Sequence, residues 1–426
     1  MTPDTAHPNE SQDAEIDLGN EQAAVDPALF EEMPPEPPFT RTVHTTPLHL
    51  VTSAESRTNR WTDWNGYTVP EVLTDLGDEY RALRGTAALA DHSPLVKYRI
   101  FGRDALAFMQ RLVTRDLAAL EVDTAVHVIF CEGSGLVLGD GLLFRLGDDE
   151  YRLVTEETHL AWMMESAQGF RVGIADVTAT LALLSLQGPL SAACLNEAGV
   201  ANMDGLAPLA ARWVDIAGMP VYVSRTGASG DLGYELWADA EDAPHLWRHL
   251  MDKGAPHGLR PAGFALRELA RLEAGFPRGG KDYLSAFAAV ASGDASTPFE
   301  LWRSPPVAFG KTVFNGGRAL RALASAPPRR RLVALVADGL EPVSLSSVLS
   351  GGRMVGSVTT SAFSPARGAN IALALVEAVA LNGELAVTAS RHEGLAFRET
   401  VLGARVLPEP AWNSARSLVL PAPLRP

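Results

Sequence analysis

Two strand-like runs on either side of a tight turn constrain the fold of this 426-residue chain more than any other feature. Residues 142–146 and 151–155 are rich in leucine, valine and aromatic side chains, and Gly147-Asp148-Asp149 lies between them. Such side chains favour strands, and a short turn with glycine joins antiparallel neighbours. The spacing therefore predicts a β-hairpin, which a purely parallel, doubly wound sheet does not contain.

Helical patterns are interspersed with further strands along the first three quarters of the chain. Apolar residues recur at helical spacing over 104–112, 158–167, 190–198, 243–253 and 262–272. Strand patterns cover 95–101, 125–131, 181–186 and 221–224. Because strands and helices alternate while hairpins recur, the fold class is predicted to be α+β.

The last quarter of the chain has a different pattern. Residues 325–331, Ser-Ala-Pro-Pro-Arg-Arg-Arg, are typical of a linker. Short strand patterns at 332–337, 347–349, 354–359 and 385–389 follow, separated by glycine-containing turns. This arrangement predicts a small β-barrel domain at 332–405 after a larger region at 40–324.

Charge is distributed unevenly along the chain. Residues 1–39 contain ten acidic and no basic residues, which predicts a disordered acidic tail; 406–426 is predicted to be a second tail. The remainder carries 41 acidic and 36 basic residues, net −5, out of −15 for the whole chain. Without a basic face, nucleic acid is not an expected partner.

Several classes of site are not expected from the composition. Two cysteines, Cys131 and Cys194, cannot form a disulfide framework or an all-cysteine zinc site. The histidines show no metal-ligand spacing, and no dinucleotide or phosphate-loop motif is present. With no signal segment and no long apolar run, we expect a cytoplasmic protein without metal or membrane contact.

The clearest candidate for a binding site is the stretch from Arg225 to Trp237. A strand enters a loop with three glycines and leaves as Gly233-Tyr234-Glu235-Leu236-Trp237. Glycines let a backbone approach a ligand, and a carboxylate between aromatic residues suits a flat ring with N–H groups. The alternative is a hairpin whose glutamate is solvated, and residue types alone favour that alternative.

Two further positions are candidates on weaker grounds. Asp140, between Gly139 and Gly141 on a strand, either reaches a ligand or forms a turn. Arg267 and Arg271, four residues apart on one helical face, either pair with surface acids or bind a ligand carboxylate. The isolated histidines His92 and His159 are expected to be structural.

Taken in order, these segments resemble the folate-binding aminomethyltransferase family, which includes the T-protein of glycine cleavage and demethylase relatives. The resemblance covers about 61–401. Its motifs are Glu79-Tyr80 to Arg84 followed by Asp91-His92-Ser93, Leu186-Gln187-Gly188-Pro189, Arg225-Thr226-Gly227 to Gly233-Tyr234-Glu235, Arg267 and Arg271-Leu272-Glu273-Ala274-Gly275, Thr297-Pro298-Phe299-Glu300-Leu301, Phe314-Asn315-Gly316 and Ser361-Ala362-Phe363-Ser364-Pro365.

The resemblance implies a three-domain cloverleaf around a tetrahydrofolate channel, with a C-terminal β-barrel. Glu235, with Tyr234 beside it, would bind the pterin ring, and Trp237 falls where some demethylase relatives place an aromatic residue. Asp140 would be the catalytic residue beside the folate nitrogens that accept the carbon. Arg267 would lie near the folate tail.

The chain departs from the T-protein pattern at three places. Ser-His-Met becomes Ser93-Pro94-Leu95, an expected asparagine becomes Glu156, and paired aspartates become Gly139-Asp140. These departures argue against the T-protein's own substrate, an aminomethyl group on a lipoyl carrier. The segments Gly-Tyr-Glu-Leu-Trp and Gly139-Asp140-Gly141-Leu142-Leu143-Phe144 resemble the demethylase branch.

The leading hypothesis is therefore tetrahydrofolate-dependent transfer of a methyl or methylene group from a small N-, O- or S-methylated metabolite. The alternatives are a T-protein using a lipoyl carrier, a folate-binding scaffold without catalysis, and a folate subunit that works with a flavoprotein.

Overall fold

The computed structural model describes residues 44–414, except 204, 292, 340–342, 344 and 394–395. The predicted tail at 1–39 lies outside the described residues, as does most of the predicted tail at 406–426. Within the described part, strands and helices are interspersed and most strand pairs are antiparallel, so the predicted α+β class is confirmed.

Strands and helices are numbered separately in chain order. The strands are β1 (His44–Thr45), β2 (Arg60–Trp64), β3 (Tyr67–Val72), β4 (Ala87–Asp91), β5 (Val96–Phe101), β6 (Thr124–Cys131), β7 (Val137–Gly147), β8 (Glu150–Thr155), β9 (Gly173–Asp176), β10 (Leu181–Gln187), β11 (Ala211–Ile216), β12 (Met219–Ser224), β13 (Gly233–Asp239), β14 (Leu259–Ala262), β15 (Arg330–Ala337), β16 (Ser347–Ser350), β17 (Arg353–Ser364), β18 (Ala369–Glu377), β19 (Leu385–Glu393) and β20 (Ala396–Val406). The helices are α1 (His49–Glu55), α2 (Leu76–Gly85), α3 (Ala105–Leu112), α4 (Leu160–Ser166), α5 (Ser191–Glu197), α6 (Ala243–Gly254), α7 (Phe264–Ala274), α8 (Pro298–Leu301) and α9 (Gly317–Leu323).

A five-stranded sheet in the order β6-β7-β8-β5-β9 contains the predicted hairpin. β7 and β8 pair antiparallel, with Leu143 opposite Leu153, and the first strand is longer than the sequence indicated because it begins at Val137. The sheet packs against α3 and α4 through a core that includes Phe108 and Met163.

A six-stranded sheet in the order β11-β12-β13-β10-β4-β14 contains the glycine loop between β12 and β13. β10 lies beside β13, and Ser185 is opposite Glu235. One face of this sheet is covered by α5 and α6, whose apolar side chains, such as Leu195 and Trp247, are fully buried. The other face is therefore available to form an internal site.

A shared apolar cluster joins the two large sheets and the small sheet β1-β3-β2. Trp64 from β2, Phe144 from β7, Leu183 from β10 and Trp237 from β13 all lie in it. Each side chain is at most 3% exposed. The sheets are therefore packed around a common centre rather than lying side by side.

Helix α7 carries the segment that resembles the family's arginine-to-glycine motif. It begins after Gly263 and ends at Gly275, whose φ of +77° is left-handed, a conformation that glycine adopts without steric cost. The predicted helix began two residues earlier, at Ala262, which instead ends β14.

The C-terminal strands form a closed barrel in the order β15-β18-β17-β16-β19-β20, so the predicted barrel is confirmed. The predicted linker, however, is shorter than expected. Arg330 and Arg331 belong to β15, where they pair with residues of the antiparallel neighbour β18. A run of arginines is typical of an exposed linker, but it is equally compatible with the partly buried start of a strand, as here.

Residues 407–414, which fall in the predicted second tail, pack against the folded region. The Trp412 backbone N–H donates to the Glu273 carbonyl at 2.9 Å, and the Arg84 guanidinium lies 4.5 Å from the centre of its indole. The domain boundaries at 40–324 and 332–405 otherwise remain predictions. No described helix is long and apolar enough to span a membrane.

Candidate functional site

A cavity enclosing about 920 Å³ of space, its open mouth included, lies where the two large sheets and α7 meet. Its wall includes four of the five predicted site residues: Asp140, Glu235, Trp237 and Arg267. These residues come from β7, β13 and α7, which are up to 127 residues apart in sequence. The fold thus brings together most of the residues that the sequence singled out separately.

Glu235 is the buried acid of the cavity. On β13 its side chain is 8% exposed, and its carboxylate accepts a hydrogen bond from the Thr226 hydroxyl at 2.5 Å. Burial raises the pKa of this carboxyl, while the Thr226 hydrogen bond and the nearby charge of Arg267 oppose that rise. The solvated-hairpin alternative for Glu235 is therefore wrong.

Trp237, two residues along the same strand, forms an aromatic wall. Its indole N–H donates to the Ser224 hydroxyl at 3.3 Å, and its ring meets the Phe144 ring edge-on at a centroid distance of 5.5 Å. The Arg152 guanidinium lies 5.2 Å from the indole centre. These contacts fix the ring in one orientation, which suits it to contact a flat ligand.

Tyr234 lies away from the cavity. Side chains alternate along a strand, so Tyr234 points to the opposite face from Glu235 and Trp237. It is fully buried in the core beneath α5 and α6, and its hydroxyl donates to the Met203 carbonyl at 2.7 Å. Its position therefore supports a packing role and gives no support to the predicted cofactor contact.

Asp140 lies on β7 and is held by two side chains. The His127 ring nitrogen Nε2 is 2.7 Å from Oδ2, and the Tyr283 hydroxyl donates to Oδ1. The flanking Gly141 is required here, because a Cβ atom at that position would overlap the Val154 carbonyl oxygen. The glycine seen in the sequence thus admits a neighbouring strand rather than forming a turn.

Arg267 lies on α7 and is paired within the cavity. It donates to Glu156 and, at 3.0 Å, to Glu268, while its guanidinium lies 4.5 Å from the centre of the Trp64 ring. Its side chain is only 9% exposed. The sequence alternative of a surface ion pair is therefore wrong, because the arginine is enclosed and lines the cavity.

Arg271, its neighbour on the helix, lies outside the cavity wall. Its guanidinium donates to Asp282 at 2.7 Å and to Glu268 at 2.8 Å, and its side chain is 3% exposed. Its charge is thus engaged by the buried Asp282 and the partly buried Glu268, which favours a structural role over a ligand fork.

A second, smaller cavity, about 390 Å³ with its open mouth included, adjoins the first. The two share His92, Ala228 and Arg267 in their walls, and the remaining wall of the smaller one is mainly apolar. A ligand with a polar ring and a less polar extension would fit such a pair of spaces, with Arg267 at their junction.

The glycine loop is shaped by Gln187 at the end of β10. The Gln187 amide donates to the Thr226 carbonyl at 3.2 Å, and the Ser229 hydroxyl donates to its Oε1 at 2.8 Å. A Cβ atom at Gly227 or Gly233 would overlap the Gln187 side chain. These two glycines therefore make room for Gln187, although Gly227 also lines the cavity.

The two histidines expected to be structural are both buried. Burial lowers the pKa of His92 well below its usual range and that of His159 to about 4, so both rings are uncharged at neutral pH. His92 lines the cavity and meets the Trp64 ring edge-on at 5.7 Å. An uncharged ring can donate or accept a hydrogen bond without adding charge to the site.

Sequence reasoning missed His127, Tyr283 and Trp302. His127 could have been found, because in the β6–β7 register Ile129 faces Asp140 and His127 is its diagonal neighbour. Tyr283 lies 143 residues from Asp140, and no sequence spacing indicates that contact. Trp302 lines the cavity from the segment after α8.

The chemistry of the cavity suits a flat, nitrogen-rich ring. Carboxylates on two walls can accept N–H hydrogen bonds, and Trp237 and Phe144 provide apolar surfaces. The buried Glu235 is the feature that a reduced pterin would fit, since a carboxylate removed from water is stabilised by further donors. Among the described residues, no cluster of three or more His, Cys, Asp or Glu side chains could hold a metal ion.

Comparisons with known proteins agree with this architecture. Residues 51–293 match the GCVT N-terminal domain, and residues 330–411 match the glycine cleavage T-protein C-terminal barrel domain. The solved structure of the glycine cleavage system aminomethyltransferase T from Bartonella henselae superposes with a TM-score of 0.73 over 90% of this chain and 99% of that one. At 21% identity, that likeness concerns the fold.

Curated relatives are more similar in sequence. An aminomethyltransferase from Moorella thermoacetica is 34% identical over 76% of this chain and 88% of its own length. One from Thermus thermophilus is 35% identical over 75% and 87%, respectively. The predicted family is thereby confirmed, and tetrahydrofolate is the cofactor of that family. The chain belongs to the glycine cleavage T-protein, or aminomethyltransferase, family of folate-dependent one-carbon transferases.

Proposed function

We propose that this chain binds tetrahydrofolate in the larger cavity and transfers a one-carbon group to it. The proposal rests on one observation, namely that the same cavity is lined by Glu235, Trp237, Asp140 and Arg267. Family membership supports the class of reaction, and the cavity supplies the residues that would perform it.

Glu235 would recognise the pterin ring. Its buried carboxylate has one described hydroxyl donor, Thr226, so N–H groups of a bound ring would satisfy the remaining acceptor positions. Hydrogen bonds to a carboxylate are stronger than neutral ones, especially away from water. Trp237 would limit the ring to one plane.

Asp140 would act beside the carbon-accepting position. Bound tetrahydrofolate would supply the nitrogen that accepts the carbon. Asp140 would stabilise positive charge on that nitrogen or take up its proton, while the cavity holds donor and acceptor together. The side chain is 18% exposed, which leaves it accessible to a bound molecule.

Arg267 would contact the ligand where the two cavities join. Its guanidinium is held by Glu156 and rests on Trp64, so it is oriented before any ligand arrives. A planar guanidinium with several N–H groups suits carbonyl or carboxylate oxygens of a folate tail.

For the carbon donor, we propose an aminomethyl group on a lipoyl carrier. Eight curated relatives, at 31–35% identity, are aminomethyltransferases, and they match this chain over most of their length. The carrier itself would be a partner protein that delivers the aminomethyl group to the mouth of the cavity. As the carbon forms its bonds to folate nitrogen, its bonds to the amino nitrogen and to the carrier sulfur would break, which releases ammonia and leaves a free thiol on the carrier.

A second candidate is demethylation of a small N-, O- or S-methylated metabolite. Leu95 and Glu156 favour it, because both line the cavity where the T-protein pattern has methionine and asparagine. A carboxylate in place of an amide changes the charge that a donor would meet, and so changes which donors fit.

One experiment separates the two donors. The full chain is incubated with tetrahydrofolate and either aminomethylated lipoyl carrier protein or small methylated amines, ethers and sulfonium compounds, and the folate products are identified by mass spectrometry. Methylene-tetrahydrofolate formed only with the carrier supports the first candidate. Methyl-tetrahydrofolate formed from a small donor without a carrier, with the demethylated donor as the other product, supports the second. If no donor yields a one-carbon folate, the proposal is overturned.

A further inference from the structure

Both oxygens of the Asp140 carboxylate already accept a hydrogen bond from the protein. His127 on β6 contacts Oδ2 at 2.7 Å, and Tyr283, from the segment after α7, donates its hydroxyl to Oδ1. His127 is 8% exposed and Tyr283 is 4% exposed. Two buried groups from separate parts of the chain therefore converge on one functional carboxylate.

The contacts also select the tautomer of His127. Its other ring nitrogen, Nδ1, is buried and has no hydrogen-bond partner among the described residues. A neutral imidazole has one N–H, and the proton is favoured on the nitrogen that has an acceptor. His127 is therefore a donor to Asp140 through Nε2–H.

Trp302 holds the two donors in place. Its ring lies 5.7 Å from the His127 ring and 5.9 Å from the Tyr283 ring, centroid to centroid, and it lines the cavity. Tyr283 is further fixed by a bridge between its backbone and that of Gly279. Neither donor can leave Asp140 without disturbing this packing.

A carboxylate on its own rotates readily, because the terminal torsion of aspartate is broad and nearly two-fold. Donors on both oxygens restrict that rotation and leave the remaining lone pairs pointing in defined directions. Reactions that depend on alignment are sensitive to such restriction, since a displacement of about 1 Å can cost roughly 100-fold in rate.

We propose that His127 and Tyr283 are positioning residues that orient Asp140 for the one-carbon transfer. The proposal rests on the proposed function, because it assigns these residues a role in that reaction. They act through Asp140 and do not themselves contact the reacting atoms.

The test compares variants of these two residues in the full chain. Tyr283→Phe removes one hydroxyl and keeps the ring, and His127→Leu removes the other donor. Each is expected to lower kcat by about 10-fold or more, with the Kd for tetrahydrofolate changed by less than about 2-fold. His127→Gln, which keeps an N–H donor, is expected to recover part of the loss.

Two controls distinguish positioning from a structural effect. Tyr151→Phe removes a buried hydroxyl that lies outside the site and has no partner in the described part of the chain, and it should leave kcat unchanged. In an Asp140→Asn background, Tyr283→Phe should cost much less than in the wild type, because residues that act through one group are not additive.

The outcomes separate this inference from the proposed function. Wild-type protein that forms no one-carbon folate with any donor overturns the function and the positioning role together. Active wild-type protein whose kcat is unaffected by Tyr283→Phe and by His127→Leu overturns the positioning role alone. An equal fold-loss from Tyr283→Phe in the wild-type and Asp140→Asn backgrounds also overturns it.

Discussion

Some ionisable side chains of this protein are buried, and Lys97 is the clearest case outside the cavity. It is fully buried on β5, and its ammonium donates to the Ser93 carbonyl at 2.6 Å and the Leu95 carbonyl at 2.8 Å. Burial lowers its pKa to about 7, although Asp91 and Asp176 oppose the shift. The segment it holds includes Leu95, which lines the cavity.

Lys97 should make stability depend on pH. In an unfolded chain a lysine has a pKa near 10.4, so between about pH 7 and 10 the unfolded chain binds more protons. The free energy of unfolding therefore rises with pH across this window. At pH values below 7 the buried Lys97 is charged, and the folded protein is destabilised by the full cost of that charge. Lys97→Met removes this linkage, so the variant's stability should rise less between pH 7 and 10.

Denaturant unfolding of both proteins at several pH values measures that difference. Methionine leaves the two carbonyls without their donor, but this cost does not vary with pH. If the wild-type and Lys97→Met curves run parallel from pH 7 to 10, Lys97 is not titrating in that range.

At the scale of strands and helices, alternation decides which predicted residues reach the site. The sequence presents Tyr234, Glu235 and Trp237 as one motif, yet strand geometry sends Tyr234 to the core and the other two to the cavity. Applying the two-residue period to the β13 pattern would have separated them. The alternation along β13 therefore predicts which of these side chains reach the cavity, whereas their grouping as one motif does not.

Local spacing also explains which elements were predictable. The β7–β8 hairpin and the helix α7 follow from runs of neighbouring residues, so their existence was predicted and only their ends differed. The contacts of Gln187 with the glycine loop and of Tyr283 with Asp140 join residues more than 35 positions apart. Such contacts depend on how sheets pack, which residue spacing does not encode.

On β7, Gly139 occupies a position where the T-protein pattern has an aspartate, and close packing explains the glycine. A Cβ atom there would lie 2.7 Å from the His159 ring nitrogen Nε2 and 2.8 Å from the Phe130 ring. Gly139→Asp should therefore destabilise the protein by about 1–3 kcal/mol, the usual cost of overpacking. Thermal or denaturant unfolding measures this change.

The matched control for that variant is Gly133→Ala, on the turn between β6 and β7. No atom lies within 4 Å of the added Cβ, so stability should stay within about 0.5 kcal/mol. If Gly139→Asp is as stable as the wild type, the overpacking prediction is wrong, because His159 then moves away without a loss of stability.

At the scale of the whole molecule, a buried ionic group connects the barrel to the rest of the protein. Glu273 at the end of α7 accepts hydrogen bonds from Arg84 at 2.6 Å, Tyr80 at 2.9 Å and Ser364 of β17 at 2.5 Å. The Glu273 side chain is fully buried and that of Arg84 is 7% exposed. The helix that carries Arg267 is thus fixed from both the α2 side and the barrel side.

Glu273→Ala should destabilise this junction strongly. The change leaves the Arg84 cation buried without its partner, and breaking a buried pair in this way costs about 3–5 kcal/mol. We expect a lower Tm in calorimetry and faster proteolysis between α9 and β15. Glu377→Ala, which breaks the exposed pair with Arg353 on the barrel surface, should leave the Tm unchanged.

Comparable Tm values for Glu273→Ala and Glu377→Ala would show that the ionic group does not hold the barrel in place. The fold-level predictions would be unaffected, because the α+β class and the closed barrel do not depend on this junction.

Titration calorimetry can establish whether Glu235 binds the pterin ring of tetrahydrofolate, as we propose. Wild-type protein should bind tetrahydrofolate, and Glu235→Ala should weaken binding about 30-fold or more, since each hydrogen bond to a charged group contributes about 1.5–3 kcal/mol. Glu241→Gln, which changes an exposed acid two residues after the end of β13, should bind like the wild type. Failure of the wild type to bind tetrahydrofolate, or equal affinity of Glu235→Ala and wild type, would contradict the claim.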